Sequence, residues 1–231
     1  MTREIVLNAI RRGLRRGPLP PDQAAMLRAR LASHPRQIQP DIARGDRQAL
    51  LLRFIANVER EFGTVALLPH ADAVPGAIAD YLAAQNLPTE LVMSPHPELR
   101  AIPWSSRPLL AVREGQAQAT DQVGLQHAFA AVAETGTLML PSGADRATTV
   151  NLLPDTALVL LRTSRLVGGF EDAWDMLRTE RQGTMPLMPR NVMLVTGPSR
   201  SADIEQTLEL GAHGPRRLHV LLVEDAASAA V

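Results

Sequence analysis

Apolar runs of strand length alternate with helical segments from residue 64 onward. The runs are TVALLP, ELVMSP, PLLAVREG, HAFAAVAETGTLML, TALVLLRT, NVMLV and LHVLLVE. Segments with helical character lie between some of them, at VPGAIADYLAAQN and near FEDAWDML. This alternation predicts an α/β domain with an open, at least partly parallel sheet and flanking helices.

The first 63 residues have a different pattern. Residues 3–16 place Ile5, Ile10 and Leu14 among five arginines, which predicts a basic amphipathic helix that ends near Gly17. A second helix is expected over residues 46–63. We therefore predict an N-terminal helical extension over residues 1–40 and an α/β domain over residues 41–231. The thin apolar face of the first helix favours a solvated helix or a docking arm over membrane attachment.

Composition excludes several classes of function. Lys plus Arg and Asp plus Glu both count 24, so the chain has no basic excess for nucleic acid, which is not an expected partner. The chain has no cysteine, which excludes thiol catalysis and thiolate-bound clusters within it. No apolar run approaches the roughly 20 residues that span a bilayer, and we expect a cytoplasmic protein. The histidine spacings match no known metal-ligand pattern, so no metal site is predicted.

The first unusual stretch is AVAETGTLML, in which a carboxylate lies inside an apolar run. Glu134 should be partly buried there, and a buried carboxylate must be hydrogen-bonded, paired or shifted towards its neutral form. Such a group can act as a base or nucleophile. Alternatively, Glu134 accepts hydrogen bonds from Thr135, Thr137 or loop amides and holds the strand end. Gly136 permits a bulge or the close approach of another backbone or a ligand.

The second unusual stretch is GPSRSADIEQTLELGAHGP, which follows the strand-like run NVMLV. We predict that a helix begins here with Ser199 or Ser201 as its cap and ends near Gly211. A helix that begins after a strand can bind an anion, with Arg200 and the serine hydroxyls as additional donors. The first turn also contains two acids, Asp203 and Glu205. These acids disfavour a highly charged phosphate and favour a hydroxylated or weakly charged ligand; pure helix capping is the alternative.

Two further residues have side chains that suit a small carboxylate. His213 follows the second stretch and is either a proton carrier or a surface residue in a Gly-Pro turn. Arg146 lies in the polar segment PSGADRATTVNLLPD, which is either a lid or a plain loop. A guanidinium can hold a carboxylate through two hydrogen bonds. Neither nucleotide-binding fingerprint, G-x-G-x-x-G or G-x-x-x-x-G-K-[ST], is present.

The segments AETGTLML, NLLPDTALVLL and TGPSRSADIEQTLELGAHGPRRLHVLLVED together resemble the LUD-domain family, and within it the lactate utilization protein C group. The resemblance covers roughly residues 64–225. It implies a fold similar to that of the sugar-phosphate isomerase and CoA-transferase superfamily (the NagB/RpiA/CoA transferase-like fold). Glu134 is the counterpart of the glutamate that attacks the acyl group in CoA transferases, but a shared fold does not transfer a mechanism.

The resemblance also implies a pathway. Family members take part in the conversion of L-lactate to pyruvate with two partner proteins, one rich in cysteines and one that carries iron–sulfur clusters. The absence of cysteine agrees with this division of labour, and no cofactor is expected in this chain. The candidate catalytic residues are Glu134 and His213. The candidate substrate-binding residues are Thr135, Gly136, Thr137, Arg146, Ser199, Arg200, Ser201, Asp203 and Glu205.

Two other functions remain open from the sequence. The chain could be a free-standing enzyme that acts on a small sugar phosphate, a folate or a CoA thioester. It could also be a regulatory or assembly module that docks through the basic helix over residues 3–16. Its own catalytic activity is not established by the resemblance.

Overall fold

A computed structural model describes residues 2–15, 17–184, 188–201 and 209–225 of the chain. Contacts divide the chain into two compact units, Met1–Ile38 and Gln39–Val231. The first unit contains α1 (Arg3–Gly13) and α2 (Pro21–Ser33), and neither helix has a buried residue. Among the described residues, no helix combines the length and apolar character needed to cross a membrane.

Helix α2 was not predicted, because the prolines before it were interpreted only as a stop for α1. Pro21 lies at the first position of α2. The backbone nitrogen at that position has no partner inside the helix, so proline costs nothing there and its fixed φ suits the helix. The proline-rich segment therefore starts α2, whereas α1 already ends at Gly13, before the first of these prolines.

The second unit contains five α-helices and twelve short strands within the described residues. The helices are α3 (Arg47–Arg60), α4 (Val74–Ala84), α5 (Pro97–Arg100), α6 (Thr148–Leu152) and α7 (Phe170–Glu180). The strands are β1 (Thr64–Leu68), β2 (Glu90–Met93), β3 (Ala111–Glu114), β4 (Val123–His127), β5 (Ala130–Val132), β6 (Thr137–Pro141), β7 (Thr156–Arg162), β8 (Leu166–Val167), β9 (Val192–Val195), β10 (Arg200–Ser201), β11 (Glu209–Leu210) and β12 (Arg217–Val223).

A six-stranded sheet forms the centre of this unit, in the order β1-β12-β7-β4-β2-β3. All five neighbouring pairs are parallel. The predicted α/β fold with a parallel central sheet is therefore confirmed. The central strands β4, β7 and β12 are buried along almost their whole length. Burial on both faces explains why β7 and most of β12 are continuous apolar runs. Strand β4 is buried too, although Gly124, Gln126 and His127 interrupt its apolar residues.

The two faces of the sheet pack against different partners. One face, which includes Leu125, Leu158 and Leu221, packs against α4. The other face, which includes Val159 and Val220, packs against α3 and strand β6. Because side chains alternate along a strand, neighbouring residues of β4 or β12 belong to different cores. The sheet therefore separates two environments that can serve different purposes.

A second, four-stranded sheet has the order β8-β5-β6-β9. Strand β6 pairs antiparallel with both β5 and β9, whereas β5 and β8 are parallel. Helix α7 packs against this sheet through Ala173 and Leu177. The E-T-G-T motif forms the turn between β5 and β6, and the second motif begins directly after β9.

The helix predicted after β9 is wrong in the described residues at both of its ends. Strands β10 and β11 lie there and pair antiparallel. The Ser199 N–H donates to the Pro215 carbonyl at 2.8 Å, and the Gly211 N–H donates to the Ser199 carbonyl at 3.0 Å. These hydrogen bonds between separate segments of the chain use backbone groups that the first turn of a helix would leave free to bind a ligand. Asp203 and Glu205 lie outside the described residues.

His219 is a buried histidine on the α4 side of the sheet. Its ring stacks on Tyr81 with 4.0 Å between centroids, and its Nδ1 atom lies 2.8 Å from Thr64 Oγ1. Burial lowers the pKa of His219 from 6.5 to about 4. The unfolded chain therefore binds a proton at this residue between about pH 6.5 and pH 4, while the folded chain does not.

The protein should lose stability as the pH falls through this window, and His219→Gln should remove part of the loss. We expect the wild-type free energy of unfolding to fall by about 2 kcal/mol more than that of the variant between pH 7 and pH 5. Urea unfolding at both pH values measures the difference. Equal pH dependence in the two proteins would show that His219 is not the titrating group.

Candidate functional site

The C-terminal end of α3 holds the E-T-G-T turn in place. The side-chain amide of Asn57 donates to the Ala133 carbonyl at 2.8 Å and to the Glu134 carbonyl at 3.0 Å. Gly136 has a φ of 71° and packs directly on the helix, where a Cβ atom would lie 2.8 Å from the nitrogen of Val58. Both the backbone conformation and the lack of space require glycine at this position.

The same helix end positions the second motif. Gly197 has a φ of 81°, and a Cβ atom at this position would lie 2.5 Å from the Glu61 carbonyl oxygen. Arg200 lies over the Phe62 ring, 4.0 Å from its centroid, and its Nη2 atom is 3.4 Å from a carboxylate oxygen of Glu61. The guanidinium predicted to contact a ligand therefore has two protein partners.

A chain of threonine hydroxyls joins the two motifs. Thr135 Oγ1 lies 2.7 Å from Thr137 Oγ1, which in turn lies 2.7 Å from Thr196 Oγ1. Thr137 is buried, whereas Thr196 lines a cavity. The first motif therefore reaches this cavity through a hydrogen-bonded contact with the residue before Gly197.

Ser199 organises the segment that closes the cavity. In addition to its two backbone bonds, Ser199 accepts a hydrogen bond at Oγ from the His213 N–H at 3.1 Å. The Ser199 hydroxyl proton remains available for a further acceptor. Ser201 lies in β10, opposite Glu209 of β11.

The cavity has a volume of about 230 Å³ and lies between the central sheet and β9. Its walls are mainly apolar, with residues such as Leu140, Val159 and Met193. A few polar side chains interrupt these walls: Gln126, Asn151, Thr196, Ser199 and His213. Among the described residues, the buried Oδ1 atom of Asn151 has no hydrogen-bond partner. An apolar cavity with a few convergent polar groups is typical of a small-molecule site.

The candidate residues divide between several places in the structure. Ser199 and His213 line the cavity, and Thr137 contacts its wall through Thr196. Glu134 does not line it. One carboxylate oxygen of Glu134 is buried and has no hydrogen-bond partner among the described residues. It lies next to Gly169, the residue before α7, where a Cβ atom would be 3.7 Å away from this oxygen. The structural alternative for Glu134 expected hydrogen bonds from Thr135, Thr137 or loop amides. This oxygen makes none within the described residues, so the role of Glu134 stays a prediction.

Arg146 belongs to a second polar cluster, at the carboxyl ends of the parallel strands. Its Nη2 atom lies 2.9 Å from Nε2 of His96, and its Nη1 atom donates to Asp145 at 3.2 Å. His96 stacks on His127, with 3.8 Å between ring centroids. Nε2 of His127 lies 3.2 Å from a carboxylate oxygen of Glu98, whose other oxygen accepts a hydrogen bond from Arg162 at 2.7 Å.

Burial and neighbouring charges set the protonation of this cluster. Burial, together with His127 and Arg146, lowers the pKa of His96 to about 4. Contact with His127 and Arg162 lowers the pKa of Glu98 to about 2, although burial alone would raise it. At neutral pH, His96 is therefore an uncharged imidazole and Glu98 is a carboxylate.

The sequence analysis missed this cluster, because its members come from separate strands. His96 and Glu98 follow β2, and His127 ends β4, about 30 residues later. Strands β2 and β4 are parallel neighbours, so their carboxyl ends meet at one edge of the sheet. A search for closely spaced ligands cannot find such a set. The position of His96 after a predicted strand was available as a signal, but the strand that ends at His127 was not predicted.

A comparison with known protein families assigns the chain to a family. The model of the LUD domain matches residues 51–223. The chain belongs to the LUD-domain family. The match includes both motifs, the residues of the cavity and the histidine cluster. The resemblance derived from the motifs is thereby confirmed.

Several relatives of this LUD-domain chain are known by sequence. Lactate utilization protein C of Bacillus subtilis is 36% identical over 103 residues, which are 45% of this chain and 42% of the relative. The protein of the same name from Exiguobacterium is 36% identical over 123 residues, 53% of this chain and 52% of the relative. An uncharacterized protein of Neisseria meningitidis is 40% identical over 100 residues, 43% and 41% of the two chains. These matches span about half of each relative's length.

A solved structure is similar in fold. The crystal structure of a DUF162 family protein from Deinococcus radiodurans has a TM-score of 0.57 and 22% sequence identity. The similarity covers 78% of this LUD-domain chain and 99% of the other. It supports the mixed α/β architecture with a parallel central sheet.

Asn57→Ala should destabilise the LUD domain, because it leaves two buried carbonyl groups of the E-T-G-T turn without their donor. We expect the free energy of unfolding to fall by about 2 to 3 kcal/mol. Urea unfolding measures this change, with Gln85→Ala, an exposed polar residue after α4, as the control. A loss no larger than that of the control would show that the amide does not hold the turn.

Proposed function

We propose that this chain is a component of a lactate-utilisation system and that its cavity binds L-lactate or its oxidation product, pyruvate. The observation that supports this proposal is the meeting of both family motifs at one cavity. Thr137 of the first motif contacts Thr196, and Ser199 and His213 of the second motif line the walls. Relatives that are 34 to 36% identical over 103 residues of this chain are named lactate utilization protein C.

The chemistry of the cavity agrees with a small, weakly charged ligand. Its volume of about 230 Å³ is ample for a three-carbon acid. The Ser199 hydroxyl can donate to a carboxylate oxygen, and the Thr196 hydroxyl can donate to or accept from a substrate hydroxyl. The His213 ring is a further lining group that can donate or accept a hydrogen bond.

The same lining disfavours a sugar phosphate. Among the described residues, no arginine or lysine lines the cavity. A phosphate group carries nearly two negative charges and is normally held by arginine, lysine or a helix N-terminus. Arg146 and Arg200 are the candidate cations for an anionic ligand, but both contact protein carboxylates in this structure.

The proposed system requires an electron acceptor, which we propose lies outside this chain. Oxidation of lactate to pyruvate releases two electrons and two protons, and a chain without cysteine cannot hold a thiolate-bound cluster. We propose that iron–sulfur and cysteine-rich partner proteins receive the electrons. The role of this chain is then to bind and present the substrate within their complex.

Deletion of the gene in its native host should abolish growth on L-lactate and leave growth on pyruvate unchanged. The wild-type gene and Gln85→Ala should restore growth on lactate, whereas Asn151→Leu should not, because leucine removes both polar atoms from the cavity. Growth curves on the two carbon sources measure this, with immunoblots to confirm equal protein levels. Normal growth on lactate after deletion would refute the proposed function. Full growth with Asn151→Leu would refute the role of the cavity.

A direct binding measurement distinguishes a substrate-binding role of this chain from a role in assembly of the complex. We expect the purified chain to bind L-lactate or pyruvate in isothermal titration calorimetry, and Asn151→Leu to weaken binding by about tenfold or more. Glucose 6-phosphate serves as the control ligand, for which no binding is expected. If lactate and pyruvate do not bind but deletion still abolishes growth, the chain is an assembly partner.

A further inference from the structure

We propose that His96, Glu98 and His127 form a binding site for a divalent transition-metal ion of the zinc class. The site lies at the carboxyl ends of β2 and β4, where open parallel sheets place their ligands. It is distinct from the proposed lactate cavity. Gln126 faces the cavity, and the next residue, His127, points to the opposite face of the sheet.

The possible ligand atoms lie close together. One donor atom from each of the three residues lies within 4.8 Å of the other two. Metal–ligand bonds of about 2.1 Å in a tetrahedral site keep donor atoms roughly 3.4 Å apart. The rings of His96 and His127 are stacked, with 9° between their planes, so one ring must rotate before both can bind the same ion. Two histidines and one carboxylate are a common set of three protein ligands, which leaves positions open for water or substrate.

His127 provides the independent sign that a ligand is missing. Its side chain is only 4% exposed, yet in the described structure neither ring nitrogen makes a hydrogen bond. Its Nε2 atom lies 3.2 Å from a carboxylate oxygen of Glu98, the other side chain that would bind the ion. Burial of ring nitrogens that make no hydrogen bond is costly, and a metal ion bound at Nε2 would remove part of that cost.

A second interaction orients the carboxylate ligand. Arg162 holds one oxygen of Glu98 and leaves the other directed towards His127, which is a frequent way to orient a ligand carboxylate.

Arg146 is the competitor for this site. Its Nη2 atom occupies the direction of the His96 Nε2 lone pair at 2.9 Å, so a metal ion must displace it. Arg146 also donates to Asp145, whose side chain is 39% exposed, so the guanidinium keeps this partner when it leaves His96. We therefore infer that the guanidinium and the metal ion bind His96 alternately.

Metal binding to the full-length, untagged protein tests the proposal. Calorimetry with Zn²⁺ and the visible absorbance of Co²⁺ should show one saturable site per chain, and Mg²⁺ should not compete, because it prefers oxygen ligands. Glu98→Gln and His127→Gln should each weaken Zn²⁺ binding by about tenfold or more. Arg146→Gln should tighten it by roughly tenfold, because it removes a cation next to the ligands. His70→Gln, which changes a histidine outside the cluster, should have no effect.

Other outcomes would overturn the proposal. Absence of saturable binding in both the wild type and Arg146→Gln would mean that the cluster is a permanent ion-pair network. Saturable binding that persists in folded Glu98→Gln and folded His127→Gln would place the ion elsewhere. Circular dichroism confirms the fold of each variant, and Glu98→Gln changes a partly exposed residue, so the test does not depend on the buried histidine alone. The result is independent of whether lactate binds the cavity.

Discussion

The contact between the end of α3 and the turn of the E-T-G-T motif is the interaction on which both family motifs depend. One buried amide, that of Asn57, binds two consecutive carbonyl groups of this turn. Two glycines with positive φ, Gly136 and Gly197, bring their backbones onto the same helix end. A side chain at either glycine would separate the helix from a motif, and the cavity between the motifs would lose a wall. The helix end is thus a common support for segments 60 residues apart.

The periodicity of the sequence predicted five of the six strands of the central sheet and most helices, because burial leaves a direct record in apolar runs. It did not predict β4, in which Gly124 and Gln126 interrupt the apolar residues. Hydrogen bonds between distant segments leave no such record. The segment after β9 has serine and acidic residues in the order of a helix start, yet Ser199 forms backbone bonds to Gly211 and Pro215. The local preference of Ser199 for the first position of a helix was overridden by backbone pairing with residues more than ten positions away. Neighbouring residues in the sequence could not reveal that pairing.

The candidate site was predictable only in part, for a related reason. The motifs directed attention to Thr137, Ser199 and His213, which the fold brings to or beside one cavity. Glu134 belongs to the same motif, but strand alternation and the turn direct it towards α7. The histidine cluster depends on which strands are neighbours in the sheet, and strand order is a property of the whole domain. Residue spacing along the chain therefore could not identify it.

The three threonine hydroxyls between the motifs have a further consequence. Each hydroxyl has a single hydrogen, so Thr135, Thr137 and Thr196 can all donate in one direction along the chain or all in the other. If a molecule in the cavity accepts from Thr196, the hydrogens point towards the cavity; if it donates to Thr196, they can point away from it. The two states have the same heavy-atom positions and differ only in polarity. The chain of hydroxyls can therefore transmit the chemical character of a bound molecule to the E-T-G-T turn without any movement of the backbone.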